Sequence, residues 1–161
     1  MVAAVVITNY EATAQMLGVT LNRKIDPAVR TRSWDAAGVW ASSLARDFPG
    51  DAFLFDERHT FTALSYYTRP HPMSARMWNP RGGVSNHFEM TASLKDATPQ
   101  SFIYVTKQPN ADAVSAFFLA EQPLGRWHKQ SYPGHDLALY AFRLTGFRGY
   151  NPGQGNASPL P

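Results

Sequence analysis

The chain has no cysteine among its 161 residues, which excludes disulfides, thiolate nucleophiles and cysteine-based zinc sites in one step. Charge is also scarce: Asp, Glu, Lys and Arg make up 17% of the sequence, below the usual proportion of about 25%. The formal net charge is +3, but the basic residues stand singly. With no Lys/Arg run to follow a phosphate backbone, no nucleic-acid partner is expected. Long apolar runs are missing too. The run from Val2 ends by Ile7, far short of the roughly 20 residues that span a bilayer. It reads either as a first strand or as the trailing edge of a hydrophobic segment. No internal repeat, G-x-S-x-G elbow, H-E-x-x-H helix or Walker loop occurs, and no carboxylate pair stands out.

What the chain does have is aromatic: four Trp, seven Tyr and ten Phe in a sequence that is 44% hydrophobic. At this length, one domain able to bury about two-thirds of its unfolded surface is the natural expectation. Glu11 to Leu17 predicts a short helix, and Asp26-Pro27 a turn. Ser33 is placed to cap a helix, with Asp35 in its first turn. Trp34, Ala37, Ala41, Leu44 and Phe48 then fall on one helical face until Pro49-Gly50 stops it. Ala52 to Phe55 predicts a strand buried on both faces. Phe61, Leu64 and Tyr67 give a second helix, from Arg58 to Thr68 and ended by Pro70. Arg76 to Trp78 predicts another strand, and Phe102 to Thr106 the clearest one. Asn110 or Asp112 is expected to cap a helix carrying Val114, Phe117 and Phe118. An antiparallel hairpin closes the order, with Arg126 to Gln130 and Leu137 to Phe142 on its two arms.

This order predicts an α/β fold: a small three-layer domain with a mostly parallel central sheet, helices on both faces and an antiparallel hairpin at one edge. The expected division is residues 1–25 as hydrophobic stub and linker, 26–148 as the α/β domain, and 149–161 as a Gly/Pro-rich flexible tail. That tail holds a weak glycosylation sequon at Asn156. In open α/β sheets ligands sit outside the carboxyl ends of the strands, which would place Asp56, Asn79 and Thr106 on the ligand edge.

Two constellations could carry chemistry. In the stretch Asn79-Pro-Arg-Gly-Gly-Val-Ser-Asn-His-Phe-Glu-Met90, His87 and Glu89 could serve as acid and base or as two metal ligands. No third ligand joins them at a recognisable spacing, and the plainer reading is a turn with Asn86 capping a helix over His87 to Leu94. In Asp56-Glu-Arg-His59, a carboxylate, a guanidinium and an imidazole could hold a phosphate or a sugar. The plainer reading there has Asp56 capping the next helix and Arg58 pairing with a local acid. Tyr66, Tyr67, Trp78 and Trp127 could stack on sugar rings, though such residues more often fill cores and rims.

The segments Asp26-Pro-Ala-Val-Arg-Thr-Arg-Ser-Trp34, Ala52-Phe-Leu-Phe-Asp-Glu-Arg58, Leu64-Ser-Tyr-Tyr67, Trp78-Asn-Pro80, Asn86-His-Phe-Glu-Met90 and Phe102-Ile-Tyr-Val105 follow one another in a line. In that order the chain resembles the extracytoplasmic C-terminal region of bacterial integral-membrane glycosyltransferases. These are polyprenyl-phosphate-sugar-dependent enzymes related to protein O-mannosyltransferases and to the aminoarabinose transferase acting on lipid A. Ser33 stands where the family has Gly, and Thr91 where Trp is usual.

The resemblance implies an accessory domain on the extracytoplasmic, periplasmic face of the inner membrane. Its partner would be the membrane core of the same polypeptide, with a lipid-linked sugar or an acceptor glycan close by. The family's catalytic carboxylate lies in the membrane part, so no residue here inherits a catalytic role, and neither a cofactor nor a metal is expected. Arg58, Asn86, His87, Glu89 and Trp78 are the candidate ligand contacts. The alternative is a freestanding carbohydrate- or ligand-binding module built on Trp78, Tyr66 and Asn86. A small soluble enzyme comes third, because acid–base work needs convergent groups.

Overall fold

A computed structural model describes residues 9–29, 31–83, 87–94 and 101–150. The expectations for the Val2–Ile7 run, for Asn86, and for the tail from residue 151 with its sequon lie outside the described residues. A short helix α1, Tyr10–Met16, is the first element among the described residues, as the sequence predicts.

Helix α2, Trp34–Asp47, buries Trp34, Ala37, Ala41 and Leu44 along one face, as their three- and four-residue spacing requires. Its start differs from the expectation. Ser33 is left-handed (φ 72°) and makes no capping hydrogen bond; its hydroxyl lies 2.7 Å from that of Ser131, in the hairpin. Helix α3, Arg58–Tyr67, is capped by Glu57, not by Asp56. The Glu57 carboxylate accepts from the amides of His59 (3.2 Å) and Thr60 (3.1 Å) and from the Thr60 hydroxyl (2.7 Å). Asp56 instead accepts from Tyr104 Oη and Thr106 Oγ1, both at 2.7 Å.

Between these helices runs β1, Ala52–Phe55, buried at every position. It pairs in parallel with β2, Arg76–Met77, on one side and with β3, Ser101–Thr106, on the other. Helix α4, His87–Thr91, follows β2, and the single turn α5, Asp112–Ser115, follows β3. The last elements among the described residues are β4, Phe118–Tyr132, and β5, His135–Phe147. The strand order is β2-β1-β3-β5-β4, with β3–β5 and β5–β4 antiparallel.

The fold is therefore α/β with a mixed sheet, and the expectation of a mostly parallel one is corrected. The hairpin is the larger part of the sheet: its arms run 15 and 13 residues, against four for β1. Only its middle is visible in the sequence because β4 lies at the edge and is solvent-exposed over most of its length, so it carries no clean apolar alternation. Pro123 and a bulge at Pro123/Gly125 fit that edge position. Phe118, expected on a helix, opens β4, since α5 stops at Ser115.

Strand alternation divides the core in two. Phe53, Phe55, Ile103, Val105, Leu139 and Ala141 meet α2 and α3 on one face. Leu54, Phe102, Tyr104, Phe142 and Leu144 pack on the other against Val114 and a group of aromatic rings. There the single turn α5 and the rings of Trp78, Phe117, Phe147 and Tyr150 cover the sheet. Arg143, in β5, is anchored at the sheet's lower end: its Nε lies 2.6 Å from Asp51 Oδ2 and its Nη2 3.3 Å from Oδ1.

Candidate functional site

The carboxyl ends of β1 and β3 open into a cleft of about 680 Å³, within the range of about 300–1,000 Å³ common for small-molecule sites. Four segments build its polar lining. Arg32 precedes α2, Glu57 caps α3, His59 lies in the first turn of α3, Lys107 follows β3, and His135 and Asp136 open β5. The topology makes this convergence unavoidable. Parallel β1 and β3 deliver their following loops to the same edge, and the β4–β5 turn folds over them.

Trp34 forms the floor, only 3% exposed, with its indole edge-on to the His59 ring at 5.1 Å. Lys107 Nζ lies 5.9 Å from the centre of the Trp34 ring and 2.9 Å from Glu57 Oε2. Asp136 is 3.7 Å from His128 Nε2. His135 Nδ1 is buried without a hydrogen-bond partner among the described residues.

Beside the cleft, Asp26 organises a second group of polar residues. Its side chain is fully covered, while Arg32 is 27% exposed, so the pair sits close to the surface. Asp26 accepts from Arg32 Nε, from Tyr132 Oη (2.7 Å) and from the Ala28 amide (2.9 Å). Arg32 Nη2 reaches Glu11 at 2.7 Å, and its guanidinium lies 5.4 Å from the centre of the Tyr132 ring. Helix α1, the loop before α2 and the hairpin are thus tied together at one side chain, and Arg32 is held at the cleft wall.

Burial pushes the Asp26 carboxyl up, but hydrogen bonds from Arg32, Tyr132 and the Ala28 amide, with the charge of Arg32, outweigh it. The carboxyl is held down at about 2. Glu57 follows the same pattern: burial opposes, while hydrogen bonds from Thr60 and Lys107 and the Lys107 charge bring it to about 2. Ordinary values for the two groups are 3.8 and 4.5. A depressed folded-state pKa contributes stability that is complete above the unfolded value and is lost as pH falls toward the folded one. Urea unfolding between about pH 6 and about pH 2 should therefore show a loss of about 2 kcal/mol from Asp26. Glu57 adds less, because its side chain is 44% exposed and screened. Asp26→Asn should flatten the profile below about pH 4; an unchanged profile would contradict this assignment.

The residues singled out from sequence fall in different places. Arg58 is exposed at the start of α3, between two cleft residues, and forms no ion pair among the described residues. His87 and Glu89 stand on α4, which packs against α3 through a Phe61–Phe88 stack at 4.3 Å. Neither lines the cleft. Trp78 lies in the aromatic group on the opposite face, with ring centres 5.1 Å from both Phe117 and Tyr150. Among the described residues no three His, Asp or Glu converge to hold a metal ion, and no helix is long and apolar enough to cross a membrane.

Sequence reasoning missed Lys107, His135 and Asp136 as site residues. A signal existed for Lys107, which directly follows Thr106 on the strand edge already marked as ligand-facing. None existed for His135 and Asp136, whose place depends on how the hairpin folds over. Compared with known proteins, the chain matches no family model, no curated protein and no solved structure.

Proposed function

We propose that this chain is an accessory extracytoplasmic domain of a membrane glycosyltransferase that moves a sugar from a polyprenyl-phosphate donor to a lipid, glycan or protein acceptor. In this reading it supplies no catalytic group and presents its cleft to the membrane core. The observation that supports it is a convergence. Asp26, Arg32, Trp34 and Glu57 belong to the segments through which the chain resembles that family, and they come together in and beside one cleft.

The test is the reading frame upstream of the Met1 codon in the source genome, together with the size of the native protein by immunoblot. A frame running back through repeated apolar stretches of about 20 residues, and a correspondingly large protein, is expected. An in-frame stop with a ribosome-binding site just before Met1 would overturn the reading. Assayed alone with a polyprenyl-phosphate sugar, the 161-residue chain should give no transfer.

A freestanding binding module is the second reading. In its favour, the cleft brings together paired charged side chains, Lys107 with Glu57 at 2.9 Å among them, that could bind a polar ligand.

A further inference from the structure

We propose that the cleft between the carboxyl ends of β1 and β3 and the start of β5 binds an uncharged sugar ring, held by hydrogen bonds rather than by stacking. The inference rests on this cleft being the domain's functional site. It does not require the membrane enzyme.

The charge balance selects the ligand class. Arg32 and Lys107 face Glu57 and Asp136 across the same space, so the fixed charges of the lining cancel. Each cation is also engaged: Lys107 with Glu57 at 2.9 Å, and Arg32 with Asp26 and Glu11. A free cation near the surface would attract a nearby anion. Here that attraction is offset by a carboxylate at comparable distance, so phosphate gains little.

A hydroxyl group has the opposite requirement. It donates one hydrogen bond and accepts others, and a sugar ring presents several in fixed directions. Paired charges supply strong donors and acceptors side by side without net charge. Glu57 and Asp136 accept, Lys107 and Arg32 donate, and His59 and His135 can do either.

Stacking is ruled out by the floor. Trp34 is 3% exposed with His59 set edge-on against it, so its face is not a platform for a sugar.

The test is a titration of the intact ¹⁵N-labelled chain followed by NMR. Separate arms use D-mannose, D-glucose and D-galactose, their methyl glycosides, mannose 1-phosphate and inorganic phosphate. At least one neutral hexose or glycoside should give saturable shifts at His59, Lys107, His135 and Asp136. Lys107→Met and Asp136→Asn, both at exposed positions, should each weaken its affinity by about tenfold or more while the rest of the spectrum stays folded.

No saturable shift with any sugar would overturn the inference, as would binding confined to phosphate-bearing ligands or shifts confined to another face. Hexose binding together with a stop codon upstream of Met1 would uphold the sugar site and remove the accessory-domain reading. A membrane-spanning frame upstream without hexose binding would do the reverse.

Discussion

Replacing Asp26 by alanine should lower folding stability by about 3 kcal/mol, the low end of the range for breaking a buried pair by removing one partner. The low end applies because the pair sits near the surface, with Arg32 27% exposed. Three hydrogen bonds to the carboxylate are lost together, and the Arg32 guanidinium is left with its ion pair to Glu11 and a 3.3 Å hydrogen bond to Tyr10 Oη. For a chain of this size the melting temperature should fall by roughly 6–12 °C. Asp26→Asn keeps acceptors for Tyr132 and the Ala28 amide and should cost less. The sharper test is the double variant Asp26→Ala/Arg32→Met. It removes the stranded charge as well, so its loss should fall clearly short of the sum of the single losses. Additive losses would show that Asp26 and Arg32 act independently and that no network joins α1, the pre-α2 loop and the hairpin.

Gly38→Ala should destabilise by about 2–3 kcal/mol, although on an isolated helix the same change would stabilise by about 1 kcal/mol. Gly38 lies inside α2, and a Cβ built there would come within 2.4 Å of Tyr67 Cβ and 2.7 Å of the Tyr67 carbonyl carbon and oxygen. Two of those atoms are backbone, at the end of α3, so no rotamer change makes room. The helices would have to separate, at a cost toward or above the usual 1–3 kcal/mol of overpacking. The same crossing is held by a relay: Ser42 Oγ donates to the Gly38 carbonyl (2.6 Å) and accepts from the Arg69 amide (2.8 Å). Moving the helices apart would stretch it. The neighbouring residue is the control. Val39 is 70% exposed, and Val39→Ala should be neutral or slightly stabilising. If both alanine variants melt at or above the parent temperature, the close α2–α3 approach is wrong.

Much of the fold was legible because local rules decided it. Periodicity set the buried face of α2, a short apolar run set each of β1 and β3, and Pro49-Gly50 ended α2 ahead of β1. Legibility failed where the deciding partner was distant. Ser33 looked like a cap, but the chain turns left-handed there and the side chain faces Ser131. Asp56 looked like a cap as well, yet it accepts from Tyr104 and Thr106 on the adjacent strand and leaves α3 to Glu57. Trp78 looked like a ligand platform, and it packs among other aromatic rings because the short α5 leaves that face of the sheet to them.

The sequence by itself determined the α/β class and the strands β1 and β3, because hydrophobic period is a local property, and the helix read between them implies a parallel pairing. Only the tertiary structure decided that the hairpin lies antiparallel beside β3 and carries His135 and Asp136 over the cleft. It also decided that Asp26 reaches Tyr132, 106 residues away, and that Gly38 is where two helices touch. Those are contacts between distant segments, fixed by packing and by satisfying buried polar groups, and no short stretch of sequence contains both partners.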